Sequence, residues 1–196
     1  MIAHPWTRLP GEPVWAEAER AHRRRFGRVY HDWDRVLRLY ARADRLLQLP
    51  YDRALDLAVL THSVQIDLGG DRRARSVAWL RSRAGPEEPV EAAARMILNG
   101  PYRDLSDPRL PLLELSDLGD PETAERSVRE MIEQVRLLTR LEGAEVRRGV
   151  VDELARIRRA LGAALLRLPG SRERELAEAV IHGSERVSRL LMSGDL

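Results

Sequence analysis

The chain has 196 residues, 33 basic and 31 acidic side chains and a formal net charge of +2; every basic residue is Arg. The lack of Lys excludes a Schiff-base or P-loop lysine, and the lack of Cys excludes disulfides, thiolate metal ligands and a thiol nucleophile. Aliphatic residues are plentiful and aromatics few, with one Phe, four Trp and four Tyr, which suits helices packed through Leu, Ala and Val better than a sheet.

This length fits one domain with a substantial core. Residues 1–13 hold Pro5, Pro10, Gly11 and Pro13 and read as an extended arm, leaving 14–196 as a single helical domain. No apolar run approaches a membrane span, and the N-terminus lacks a charged-then-apolar leader pattern. The expectation is therefore a soluble, cytoplasmic protein with no membrane partner. Acids and arginines interleave as on solvated helix faces, which argues against a nucleic-acid partner. Arg23-Arg24-Arg25 with Arg28 is the one basic cluster and reads as a polar helix face or loop.

In chain order, a first helix is predicted over 14–25, closed by Phe26-Gly27. Asp32 or Asp34 can cap a second helix in which Val36, Leu37, Tyr40, Ala43, Leu46 and Leu47 keep helical spacing until Pro50. Residues 51–64 form the most apolar helix, so it belongs in the middle of a bundle and carries Thr61, His62 and Ser63 inward at its end. After Gly69-Gly70, Asp71 opens a helix to Arg83, and another runs over 90–98. Residues 99–111, punctuated by Pro101, Pro108 and Pro111, read as irregular. A short apolar helix over 112–118 precedes three long amphipathic ones over 121–142, 146–168 and 171–192. No strand pattern competes, so the fold class is an all-α bundle.

Two histidines brought together by antiparallel helices begin a metal site, and His31 and His62 are placed to do this. Asp67 just beyond the third helix, and Glu114 or Asp117 on the short later helix, could add carboxylates. A cation so held would polarise a phosphate ester and activate water. His4, His22 and His182 have no partner spacing and read as surface residues, whereas Trp33 reads as core.

Arg28-Val-Tyr-His31, the helix ending Leu60-Thr-His62, Gly70-Asp-Arg-Arg-Ala-Arg-Ser76 and Leu112-Leu-Glu-Leu-Ser-Asp-Leu-Gly119 follow one another in a telling order. With Arg140 to Gly149 and the helix after it, they resemble a bacterial branch of the HD-domain superfamily, predicted metal-dependent phosphohydrolases of about this length. The similarity is spread over about Trp15 to Leu191 and implies an HD-domain-like helical bundle. The family's ligands are a His on the first core helix, a His-Asp doublet and a later Asp. Carried across, they fall on Arg35, on His62 with Ser63, and on Glu114, or on Asp117 if the register slips.

Arg35 places a permanent cation where a metal should bind, and Ser63 lacks the anionic oxygen that anchors it. The expectation is a homologue that has lost metal catalysis and needs no cofactor. Arg35 pairs with Glu114 or Asp117 in this reading, and His31, Arg35 and His62 make a pocket for a phosphate-containing small molecule. Two alternatives stand beside it. One is an active phosphohydrolase with a divalent metal on His31, His62, Asp67 and Glu114. The other is a helical scaffold whose C-terminal helices form a homodimer surface.

Overall fold

In the computed structural model, which describes residues 5–24, 27–66, 71–100, 105–139 and 141–196, the regular elements are all helical. The chain forms two compact units, Met1–Gly100 and Pro101–Leu196. The first contains α1 (Pro13–His22), α2 (Trp33–Arg45), α3 (Arg53–Thr61), α4 (Arg72–Arg81) and α5 (Val90–Asn99). The second contains α6 (Arg109–Gly119), α7 (Pro121–Thr139), α8 (Gly143–Ala164), a single 3₁₀ turn (Leu165–Arg167) and α9 (Ser171–Ser193).

Carboxylates start three helices of the first unit as free N–H groups at a helix start require. Asp32 accepts from the Arg35 amide, Asp52 from Ala54 and Leu55, and Asp71 from Arg73 and Ala74. With no polar face, α3 is buried along its whole length, from Ala54 to Thr61, and packs against α1, α2, α4 and α5. The few aromatics gather beside it. Trp15 meets Trp33 edge-on at 4.9 Å and stacks with Tyr40 at 6.0 Å, while Trp6 lies between Tyr40 and Tyr51.

The stretch expected to be an extended arm is tied to this core over its described residues. The Trp6 indole donates to Leu49 O, Leu9 is fully buried, and Thr7 Oγ1 and the Arg8 amide donate to the two carboxylate oxygens of Asp56. Asp56 is the one carboxylate on α3, and it is wholly buried. Burial pushes its carboxyl up, against the bonds from Arg8 and Thr7 that pull it down. Arg53 adds an outer tie, donating to both Glu12 and Glu88.

In the second unit, α6 is the interior helix, buried without interruption from Leu110 to Leu118. It begins at Arg109, earlier than the expected 112, because Pro111 stands in its first turn, where the missing N–H would have had no partner. α8 likewise begins at Gly143, before the expected 146, since Glu142 and Glu145 form a reciprocal capping box. The end expected at 168 tightens into the 3₁₀ turn. α9 packs on α6, α7 and α8, and at Gly183 its backbone nearly touches α6. A Cβ there would stand 1.7 Å from Leu118 O.

Two stability predictions follow from these contacts. Gly183→Ala must push α9 away from a backbone carbonyl, so a loss of about 2–3 kcal/mol is expected in urea unfolding. Asp56→Ala leaves the Thr7 hydroxyl and Arg8 amide without their acceptor, and a loss of about 2 kcal/mol is expected in the same measurement. A change below about 0.5 kcal/mol in either variant would contradict the corresponding packing argument.

Candidate functional site

The end of α1, residues 27–32, the start of α2 and the C-terminus of α3 meet in the first unit. The last carbonyls of a helix lack intrahelical donors and carry its negative dipole end, so a cation is favoured there. Arg28 supplies it. Its Nη1 donates to His31 O and Ser63 O, both at 2.9 Å, and Nη2 donates to Val64 O at 2.5 Å. One guanidinium thus ties the segment before α2 to the end of α3.

His22 completes this clasp. Its Nε2 lies 3.1 Å from Leu60 O, while Nδ1 lies 3.4 Å from Arg28 Nη1 and 3.4 Å from His31 O. A carbonyl can only accept and a guanidinium only donate, so a proton on Nε2 with Nδ1 facing Arg28 satisfies the shorter contact and the charge. Burial, then the Arg28 charge, lower its pKa to about 3. This corrects the expectation of a surface residue: His22 is 1 % exposed. His182 is exposed as expected, and His4 lies outside the described residues.

His31, Arg35, His62 and Ser63 are brought together around the clasp. The His31 and His62 rings are 6.4 Å apart, and His62 Nδ1 lies 3.0 Å from Val59 O, which it must donate to, making Nε2 the acceptor nitrogen. Arg35, 3 % exposed, sets its guanidinium 3.8 Å over the Tyr30 ring, and Tyr30 meets His31 edge-on. Ser63 is buried, and its Oγ has no hydrogen-bond partner among the described residues. Burial pushes the His31 imidazole well below its ordinary value, and the charges of Arg35 and Arg72, with His62 and Arg28, push it further. Arg72 is the exposed first residue of α4.

The other predicted site residues are each described within their own unit. Glu114 and Asp117 are both buried on α6 of the second unit, where the sequence already put them on the short later helix. Asp67 lies outside the described residues. Trp33 is core, as expected, at 3 % exposure.

A divalent metal fits this arrangement poorly. The acceptor nitrogen of His62 would suit one, but three guanidiniums act on the neighbouring His31. No group of three or more His, Asp or Glu among the described residues is arranged to hold an ion. No protein-family model, curated protein or solved structure matches the chain.

Sequence reading found His31, Arg35 and His62 but not the parts of the clasp contributed by His22 and Arg28. The Arg-x-Tyr-His string contained Arg28, yet two of its three carbonyl partners, Ser63 O and Val64 O, lie more than thirty residues away.

The clasp predicts an acid-sensitive fold. An unfolded His binds a proton near pH 6.5, whereas folded His22 resists it down to about 3. Its contribution to stability is thus complete above pH 6.5 and is lost as pH falls from there toward 3, at about 1.4 kcal/mol per pH unit. His31 acts in the same direction. His22→Gln, which keeps a donor for Leu60 O, is expected to flatten the dependence of unfolding free energy on pH between 5 and 7. An unchanged slope would show that His22 is not the group responsible.

Proposed function

We propose that the chain is an HD-domain-like protein, related to metal-dependent phosphohydrolases, that binds a phosphate-bearing small molecule without metal catalysis. The observation that carries this reading is the set of cations around His31. Arg28, Arg35 and Arg72 all act on its imidazole, and in the register of the resemblance Arg35 falls on the family's first metal-ligand position. Guanidiniums match phosphate oxygens in geometry and charge, and keep their charge throughout the neutral range. They also repel the divalent ion that hydrolysis by the family's chemistry requires.

The residues carry distinct roles in this reading. Arg28 organises the site and has its N–H groups committed to carbonyls. Arg35, buried against Tyr30, and Arg72, exposed at the start of α4, supply the attraction for the anion. His62 and Ser63 offer short polar groups at its edge.

Calorimetric titration with inorganic phosphate and pyrophosphate tests the proposal. Saturable binding is expected, weakened about tenfold or more in Arg35→Gln, since a lost charge-assisted hydrogen bond is worth about 1.5–3 kcal/mol. Arg35→His combined with Ser63→Asp should trade that affinity for manganese binding. Stoichiometric metal in wild-type protein purified without chelator, together with hydrolysis of phosphate esters, would overturn the reading in favour of the enzyme.

A further inference from the structure

A second polar cavity, of about 500 Å³, lies where the end of α1 meets the residues after Ser63 and the end of α4. We infer that it binds a nucleoside polyphosphate, the phosphates held by Arg20, Arg24 and Arg83 and the base set against Trp79. This site shares only Arg28 with the cluster around His31 and goes beyond the phosphate reading proposed for that cluster.

Charge is the first argument. Four guanidiniums, those of Arg20, Arg24, Arg28 and Arg83, line the cavity against the single carboxylate of Glu17. Glu17 is already engaged, bridged to Arg83 at 2.5 Å, and Arg28 is anchored to backbone carbonyls. Among the described residues Arg20 and Arg24 have no carboxylate partner; the one bond made by the Arg20 side chain is to its own helix, at Ala16 O. An excess of fixed positive charge in a recess focuses potential on whatever anion enters it. A monoanion would leave most of that excess uncompensated, which selects a ligand with several phosphate charges.

The second argument is the apolar side. Val64 and Ile66 are buried at the wall of the cavity, and Trp79 lines it half-exposed, whereas Trp6, Trp15 and Trp33 are all buried. Trp79 thus presents indole surface to the cavity next to aliphatic groups, a setting for a planar base. The Arg83 guanidinium, 5.7 Å from that ring, places the cationic and aromatic elements side by side. A single-stranded nucleic acid would need a basic groove with successive aromatic platforms. Here one cavity offers one indole, which accommodates one nucleotide.

Titration of the full chain with adenosine and guanosine di- and triphosphates, followed by calorimetry and tryptophan emission, tests the inference. Saturable binding is expected, with quenching that disappears in Trp79→Phe. Arg20→Ala with Arg24→Ala should weaken affinity about tenfold or more, and raised salt should weaken it further. Both arginines are exposed and without ion pairs, so the fold should survive their removal; matching far-UV circular dichroism and melting checks this. Arg35→Gln, which disables the cluster around His31, should leave nucleotide affinity within about twofold. Nucleotide binding that is absent, or unchanged in the double variant, would overturn the inference. So would loss of nucleotide binding in Arg35→Gln alone, which assigns the nucleotide to the other cluster. Equal affinity for inorganic tripolyphosphate and no quenching of Trp79 would overturn the nucleoside assignment.

Discussion

One guanidinium bearing on the end of α3 is the constraint from which the first unit's site takes its shape. A helix buried along its whole length ends with carbonyl groups that no water can reach easily, and leaving them without donors would cost about 1–3 kcal/mol each. Arg28 meets Ser63 O and Val64 O and at the same time holds His31 O. The segment that positions His31 is thereby fixed by the same group that holds the turn just after α3. His22 reaches the carbonyl of Leu60 one turn earlier and extends the tie to α1. The end of α1, the segment before α2 and the end of α3 are held by two side chains, so the positions of His31, His62 and Ser63 are coupled.

That coupling has an electrostatic consequence. Burial first, and the guanidiniums beside them second, keep the imidazoles of His22 and His31 neutral. Neutral imidazoles are good metal ligands, but a metal needs anionic donors beside them and no fixed cations nearby. An arginine and a divalent metal answer the same need, which is to hold an anion in a folded protein. Only the metal also lowers the pKa of a bound water and polarises the bond to be cut. In the proposed reading, Arg35 at the expected ligand position separates binding from hydrolysis and makes the chain a binding protein.

The helices were largely legible in the sequence, because their signals are local. Apolar spacing gave α2, α3, α5, α7 and α9, and Asp32 and Asp71 marked starts that the structure confirms through their bonds to backbone amides. Misplaced boundaries came from signals with two meanings. Pro111 punctuates loops but is equally at home in a first helical turn, and Glu142 is an ordinary charged residue until Glu145 closes the box. Within the site, His31, Arg35 and His62 could be picked out by type and order. His22 could not, because its partners are the carbonyls of Leu60 and His31, and a backbone carbonyl leaves no mark in a sequence. The role of Asp56 was hidden for the same reason: its donors are a hydroxyl and an amide nearly fifty residues away.

Both units place charge on the helix that is hardest to solvate. Asp56 lies on α3, and Glu114 and Asp117 lie on α6, each in the most buried helix of its unit. An apolar residue of similar volume would cost less to bury, so these carboxylates are poor investments if stability alone is considered. Asp56 has a structural justification, since it fixes residues 7 and 8 against the core. Glu114 and Asp117 stand three residues apart and so share one face of α6. Burying two carboxyl groups on one face requires hydrogen bonds or cations beside them, a demand that a helix selected for stability alone would not carry.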